Sequence, residues 1–140
     1  MYLLVLPLDP VPASRPRVSR WGTYYGKRYE AFRKRGNEVL SNLEALVLSP
    51  TSVDLFPLDG SLEVTAIFNV VKPRTSKLSS PNGDVDNYFK TLDICNSIIW
   101  EDDKQIEILH VCKRFAECVG SIELRIKEIN DGDILNLCGS

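Results

Sequence analysis

The sequence predicts an α/β protein of the α+β kind, in which two helices pack on one face of a small mixed β-sheet in the order β-α-β-α-β-β. Two observations predict this class. Apolar residues alternate with polar residues over 62–70, whereas they recur at helical spacing over 27–48 and 86–99. With 140 residues, 44% of them apolar and 26% charged, the chain has the size and composition of one globular domain, which we place at residues 1–140.

The first half of the chain predicts a strand, a helix and a second strand. The apolar run at 2–6 is typical of a short buried strand and ends at a proline-rich turn. The helix over 27–48 stops at Ser49-Pro50, and the strand over 62–70 follows from its alternating pattern. The helix is defined by its apolar positions, which are Phe32, Val39, Leu40, Leu43, Leu46 and Val47.

The second half predicts one more helix and two more strands. The strands at 106–115 and 121–127 are separated by a short turn, and we expect them to pair as a hairpin. The tail 130–140 has a weak apolar pattern and is expected to be loosely ordered. The helix over 86–99 has a predicted buried stripe made by Val85, Phe89, Leu92, Cys95 and Ile99.

Charge is distributed unevenly along the chain. The net charge is −2, yet residues 13–35 hold eight cations against Glu30 alone, so this segment carries +7 and the remainder carries −9. A solvated helix face is the simplest interpretation of such a run, but this one also contains aromatic groups able to stack on bases, which indicates a nucleic-acid surface. The cations are Arg15, Arg17, Arg20, Lys27, Arg28, Arg33, Lys34 and Arg35, and the aromatic residues are Trp21, Tyr24, Tyr25, Tyr29 and Phe32.

Other classes of protein are disfavoured by the pattern. No apolar run approaches the ~18 residues of a membrane span, and the apolar start lacks the basic leader of a signal peptide, so we expect a cytoplasmic protein with no membrane partner. The four cysteines form no Cys-x-x-Cys pair and are expected to stay reduced. His110 is the only histidine and falls in a predicted strand, which disfavours chemistry that needs a nucleophile and a histidine base.

Asp84 and Asp86 lie where a polar loop enters the second helix. In an extended run, residues two apart project from the same side, so both carboxylates can face one point while Val85 points towards the core. Mg²⁺ commonly binds one or two carboxylates and leaves positions for substrate phosphates. Lys90, four residues after Asp86, can reach a phosphate or orient a carboxylate. The structural alternative is strong for the pair alone, because Asp is a favoured helix cap and Asn-Gly-Asp is a common turn.

A second acidic pair, Asp102 and Asp103, follows the predicted helix. The helix would be about 20 Å long, so these acids reach the first pair only if the chain doubles back. Spacing alone does not decide which of the two points to the site. Asp93 falls on the polar face of the helix as a further supporting group, and Asp131-Gly132-Asp133 is interpreted as a turn.

Two segments together form a specific pattern. The first is Asp84-Val85-Asp86-Asn87-Tyr88-Phe89-Lys90, and the second is Ile98-Ile99-Trp100-Glu101-Asp102-Asp103-Lys104-Gln105-Ile106. With the segment Pro10-Val11-Pro12 and the basic run after it, they resemble the RusA family of Holliday-junction resolvases over most of residues 2–127. The family usually has an Asp eight residues after the second acid of the first motif, whereas Asp93 comes at seven here.

The resemblance implies a function and roles for single residues. It implies a small, homodimeric, Mg²⁺-dependent endonuclease of a bacterial or phage-infected cell, with Mn²⁺ expected to substitute, no organic cofactor and a four-way or branched DNA as its partner. Asp84, Asp86 and Asp103 match the catalytic and metal-binding acids, with Asp102 as the alternative to Asp103. Lys90 matches the lysine needed for cleavage.

We therefore expect an endodeoxyribonuclease that resolves Holliday junctions by paired symmetric nicks, through metal-activated hydrolysis of phosphodiesters. Two alternatives remain open at this point: a non-catalytic protein that binds branched DNA, and a metal-dependent nuclease for other branched DNA. Contacts to the DNA backbone position a substrate without reading its sequence. The residues expected to make them are Arg15, Arg17, Arg20, Lys27, Arg28, Lys72, Arg74 and Lys77.

Overall fold

The computed structural model describes residues 1–14, 17–20, 22–24, 26–48, 55–130, 132, 133 and 135, without the side chains of 17–19, 23 and 24. It confirms an α+β fold in which a four-stranded mixed sheet carries two helices. The strands of the sheet are β1 (Tyr2–Leu6), β4 (Leu62–Val71), β5 (Ile106–Ala116) and β6 (Ser121–Glu128), and their order is β1-β6-β4-β5.

The remaining elements lie outside the sheet. Strands β2 (Arg17–Ser19) and β3 (Gly22–Tyr24) form a small antiparallel pair that the sequence analysis did not predict. The helices are α1 (Lys27–Leu40) and α2 (Val85–Phe89). Short 3₁₀-helices among the described residues span Leu43–Ala45, Lys90–Cys95 and Asp103–Gln105.

Strand β4 lies inside the sheet and shows the predicted alternation. Val64, Ala66 and Phe68 have no exposed surface, whereas Glu63 and Thr65, which alternate with them, are partly exposed. The strand pairs in parallel with β5 on one side and antiparallel with β6 on the other. The core is therefore built on one face of the sheet, beneath the helices.

The predicted hairpin between the last two strands is wrong. Strands β5 and β6 both pair with β4, on its opposite sides, and β6 lies between β4 and β1. Ile122, Leu124 and Ile126 are almost completely buried, and a position inside the sheet gives them apolar neighbours on both sides. Strand β5 takes the edge, where its side chains are only partly covered. A local turn signal cannot distinguish these two arrangements.

Helix α1 ends at Leu40, before the predicted end at residue 48. After a short 3₁₀-helix the chain runs beside β1, where Val5 N donates to Leu46 O at 3.0 Å and Leu48 N donates to Leu3 O at 2.8 Å. Leu46 is buried by this extended contact rather than by a helix face. Its position in the sequence happens to continue the helical spacing, which explains the error.

The other face of the sheet is open and mostly polar. His110 Nε2 lies 2.9 Å from Glu63 Oε2 on this face, and Arg114 Nε donates to Asn69 Oδ1 at 2.6 Å. Within the part of the chain that is described, no helix is both long enough and apolar enough to cross a membrane.

The N-terminal loop is fastened to the end of β4. The Asp9 carboxylate accepts a hydrogen bond from Val71 N at 3.2 Å. Gly120, which leads into β6, lies so close to Asp9 that a Cβ atom added to it would be 2.7 Å from the Asp9 Cα. Because the obstacle is backbone, a larger residue at position 120 must displace the loop.

We expect Gly120→Ala to lower the free energy of unfolding by about 1–3 kcal/mol, as overpacking at a closely fitted position does. The matched control is Gly60→Ala, because an added Cβ there meets no atom within 4 Å. Urea unfolding of both variants measures the difference. Equal stability of the two variants would contradict the close contact between Gly120 and the N-terminal loop.

Candidate active site

The first acidic pair lies at the start of α2, and both of its side chains are exposed. The backbone of Asp84 is extended, with φ −80° and ψ 147°, but the helix already begins at Val85, so the run is not extended across Asp86. Val85 is 40% exposed, and the prediction that it points towards the core is wrong. Tyr88, at 2% exposure, takes the inward position one helical turn later.

Lys90 pairs with Asp86, as their spacing predicts. Lys90 Nζ lies 3.2 Å from Asp86 Oδ2, and the two side chains keep 60% and 71% of their surface exposed. An ion pair this exposed contributes only about 0–1 kcal/mol. The lysine can therefore leave the carboxylate for another anion at little cost.

The loop that precedes Asp84 is held by a lysine from the edge strand. Lys113 Nζ donates to Pro81 O at 2.8 Å and to Gly83 O at 2.5 Å. Lys113 stands in register with Phe68 of β4, on the face of the sheet that carries the core. The sequence analysis did not single it out, although a lysine at an inward position of a predicted strand is a signal that could have found it.

The N-terminal proline segment packs against the same loop. Ala13 N donates to Asn87 O in α2 at 2.7 Å. Gly83 has a φ of +95°, and a Cβ added to it would lie 3.3 Å from the side chain of Pro12. The Tyr88 hydroxyl donates to Asn82 O at 2.6 Å and completes the fixation. The backbone entering Asp84 is thus positioned from α2, from β5 and from the N-terminal loop.

The second acidic pair divides into two different roles. The Asp102 carboxylate accepts from Lys104 N at 2.9 Å, and Asp102 N donates to Gln105 Oε1 at 2.8 Å, so this residue caps the 3₁₀-helix Asp103–Gln105. The bond from Lys104 N holds the pKa of Asp102 below its ordinary value. Burial, followed by the neighbouring Asp102 and Asp93, raises the pKa of Asp103. Asp103 therefore holds its proton more tightly than a solvated acid does.

Asp93 connects this second pair to α1. Arg33 Nη1 lies 2.7 Å from Asp93 Oδ1 and also donates to the Tyr29 hydroxyl at 3.4 Å. This places the Arg33 guanidinium, part of the basic run, in an ion pair within the protein. The charge of Asp93 is one of the causes that raise the pKa of Asp103, after burial and the neighbouring Asp102.

The candidate acids come from two places in the chain. Asp84 and Asp86 stand at the start of α2, and Asp93, Asp102 and Asp103 stand after it. Across the described residues, no three or more His, Cys, Asp or Glu side chains are placed so that they could hold a metal ion. Asp84 precedes the first residue of α2 but its side chain makes no capping hydrogen bond. The alternative interpretation, in which the first acidic pair acts only as a helix cap, is therefore not supported. Two exposed carboxylates fit Mg²⁺, which keeps several waters and commonly binds one or two acids.

The predicted DNA-binding cations lie on two neighbouring segments. Lys27 and Arg28 are exposed at the start of α1, and the exposed cations after β4 are Lys72, Arg74 and Lys77. Arg28 and Pro73 line the same groove, which joins the two segments into one surface. Arg20 is exposed in the turn between β2 and β3. Arg15 and the side chain of Arg17 lie outside the described residues.

Two of the aromatic residues expected to stack on bases belong to the interior. Tyr29 and Phe32 are each 5% exposed, with their ring centroids 6.4 Å apart in an edge-on contact. Their place on the inner face of α1 means that the prediction of base stacking is wrong for them. Trp21, Tyr25 and the side chain of Tyr24 lie outside the described residues.

A compact α+β domain with an exposed pair of acids, a lysine beside them and a neighbouring basic surface is typical of proteins that cleave phosphodiesters in nucleic acid. The family model of Endodeoxyribonuclease RusA matches residues 7–127, which is most of the chain. The chain therefore belongs to the RusA endodeoxyribonuclease family, as the two motifs had indicated. Membership supports a nuclease that resolves Holliday junctions. None of the curated proteins compared with the chain matches it.

We expect Lys113→Met to loosen the loop before Asp84. Hydrogen bonds to a charged group contribute about 1.5–3 kcal/mol each, so local opening should become at least roughly tenfold more frequent. Amide hydrogen exchange of a peptide covering residues 80–89 measures this. The control is Lys127→Met on the exposed side of β6. Unchanged exchange in that peptide would contradict the role of Lys113.

Proposed function

We propose that the protein is a Mg²⁺-dependent endonuclease that resolves four-way DNA junctions by paired, symmetric nicks. The observation that carries the proposal is the exposed pair Asp84 and Asp86 with the Lys90 ammonium beside it, on a loop fixed from three directions. Family membership supports the nuclease and the junction. The metal, the symmetry of the nicks and the roles of single residues are our additions.

Asp84 and Asp86 are the residues proposed to hold the cation, because their carboxylates are exposed and neither is needed as a helix cap. Of the second acidic pair, Asp103 is proposed to act in cleavage in preference to Asp102, whose carboxylate is engaged in capping, and it is not counted among the two ligands of the cation. Bound Mg²⁺ supplies Lewis-acid activation of water and compensates charge on the phosphate, and Mn²⁺ is expected to do the same.

Lys90 is proposed to act on the phosphate. Its ammonium lies 3.2 Å from Asp86, so it already occupies the side of the site on which the carboxylates face solvent. Negative charge grows on the phosphate oxygens in the transition state, and an ammonium nearby is stabilising at that moment. Since the pair with Asp86 is weak, turning Lys90 from the carboxylate to the phosphate costs little.

The DNA is proposed to lie on the basic surface formed by the start of α1 and the segment after β4. Contacts to phosphates there position a branch without reading its sequence. A homodimer with two-fold symmetry would present two such sites to the two-fold symmetric junction, which is what paired nicks require. We place this activity in the cytoplasm of a bacterial or phage-infected cell.

Nicking of a synthetic four-way junction tests the proposal. With Mg²⁺, wild type should nick two strands symmetrically near the crossover. Asp86→Asn should lose at least about a hundredfold in nicking rate, because even mutation of residues that only hydrogen-bond to a metal ligand commonly lowers metal affinity or activity about 10–100-fold. Asp59→Asn, an exposed acid in another loop, is the matched control. Equal cutting of linear duplex would remove the junction from the proposal, and binding without any cleavage would make the chain a DNA-binding protein.

A thermal shift measures the metal site without DNA. Millimolar Mg²⁺ or Mn²⁺ should raise the Tm of wild type, because a ligand that binds only the folded state stabilises it. In Asp84→Asn and Asp86→Asn the shift should be reduced or absent, since each variant lacks one of the two proposed ligands. An identical shift in all three proteins would contradict binding of the cation by this pair.

A further inference from the structure

A groove opens beside the loop that leads into Asp84. Its volume is about 410 Å³, within the usual range of ligand pockets. Its lining includes Asn82, Gly83 and Tyr88 from the loop and from α2, with Pro12 and Arg28. The groove therefore begins where the acidic pair begins, since Gly83 directly precedes Asp84.

The groove is also lined by apolar side chains that are partly open to solvent. Val71 and Leu78 are large apolar side chains that remain 40% and 52% exposed, and Phe115 of β5 lies with them. Exposed apolar side chains together with the aromatic ring of Phe115 suit a flat ring that has apolar faces. Hydroxyls of Thr75 and Ser76 also line the groove and can meet the polar edges of such a ring.

The charge of the groove favours nucleic acid. Arg28 lines it, and Lys72 Nζ lies 5.4 Å from the centre of the Phe115 ring. Among the described residues that line the groove, none is acidic. The occupant is thus a flat group attached to an anionic chain, which describes a nucleotide in a DNA strand. A whole duplex is too wide for this volume, so a single base must leave its stack to enter.

We propose that this groove holds one unstacked nucleobase of the branched DNA, next to the phosphate that is cleaved at the acidic pair. The inference rests on the proposed function, since that function supplies the branched DNA. Bases at a branch point have lost part of their stacking, so taking one out costs less than in continuous duplex. The groove thus gives the site a way to favour branches over linear DNA without reading sequence.

The test uses junctions that carry 2-aminopurine at one position after another around the branch, bound to Asp86→Asn so that no cleavage occurs. At one position near the nick, binding should change the emission of the analogue, and Phe115→Leu and Leu78→Ser should abolish that change. The matched control is Leu55→Ser, because Leu55 is 54% exposed against 52% for Leu78 and lies outside the groove. Thermal melts of the variants establish that they are folded.

A second measurement removes the base instead of the side chain. An abasic nucleotide at the responding position should weaken binding to Asp86→Asn about fivefold or more. Combined with Leu78→Ser, the two losses should not add, because both remove the same contact. Additive losses, or no responding position near the branch, would overturn the groove as a base site. Wild type that still nicks junctions with Mg²⁺ would in that case leave the proposed function intact, whereas a wild type that neither binds nor cuts junctions overturns both.

Discussion

The enclosure of β4 between β5 and β6 is the constraint on which the rest of the structure depends. The inner face of this strand is completely buried, so both of its edges must be paired within the sheet. The pairing brings β5 close enough for Lys113 to hold the loop before Asp84. At the end of β4, Val71 holds the N-terminal loop through Asp9. The candidate active site is thus assembled around the exit of one strand.

The distribution of charge follows from this arrangement. The basic run and the acidic motifs are far apart in sequence, and the fold brings them together through Arg28 beside the loop after β4 and through the ion pair of Arg33 with Asp93. Two cations of that run therefore differ in role. Arg33 stabilises the packing of α1 against the acidic segment, whereas Arg28 faces a groove open to solvent. Composition alone does not separate the two roles.

Local patterns were sufficient for much of the fold and for the choice of candidate residues. Alternation in residues 62–70 predicted β4, because a strand with one buried face requires it. The two acidic motifs identified the family, since their residue types and spacing are specific. Helical spacing misled at Leu46 and Val85, because burial depends on what packs against a side chain and not on the period alone. The role of the acidic residues in metal binding stays a prediction.

By itself, the sequence determined the class of fold and the family and supplied the candidate acids, since each of these depends on residues close together along the chain. The tertiary structure alone decided that β5 and β6 flank β4, because strand order depends on the burial of whole strands. It also decided that Asp102 caps a 3₁₀-helix while Asp103 does not, and that Lys113 fixes the loop before Asp84. The contact of Lys113 joins segments that are distant in sequence, and Asp102 and Asp103 are adjacent residues of the same type. In both cases the role of the residue depends on the packed chain and not on the local sequence.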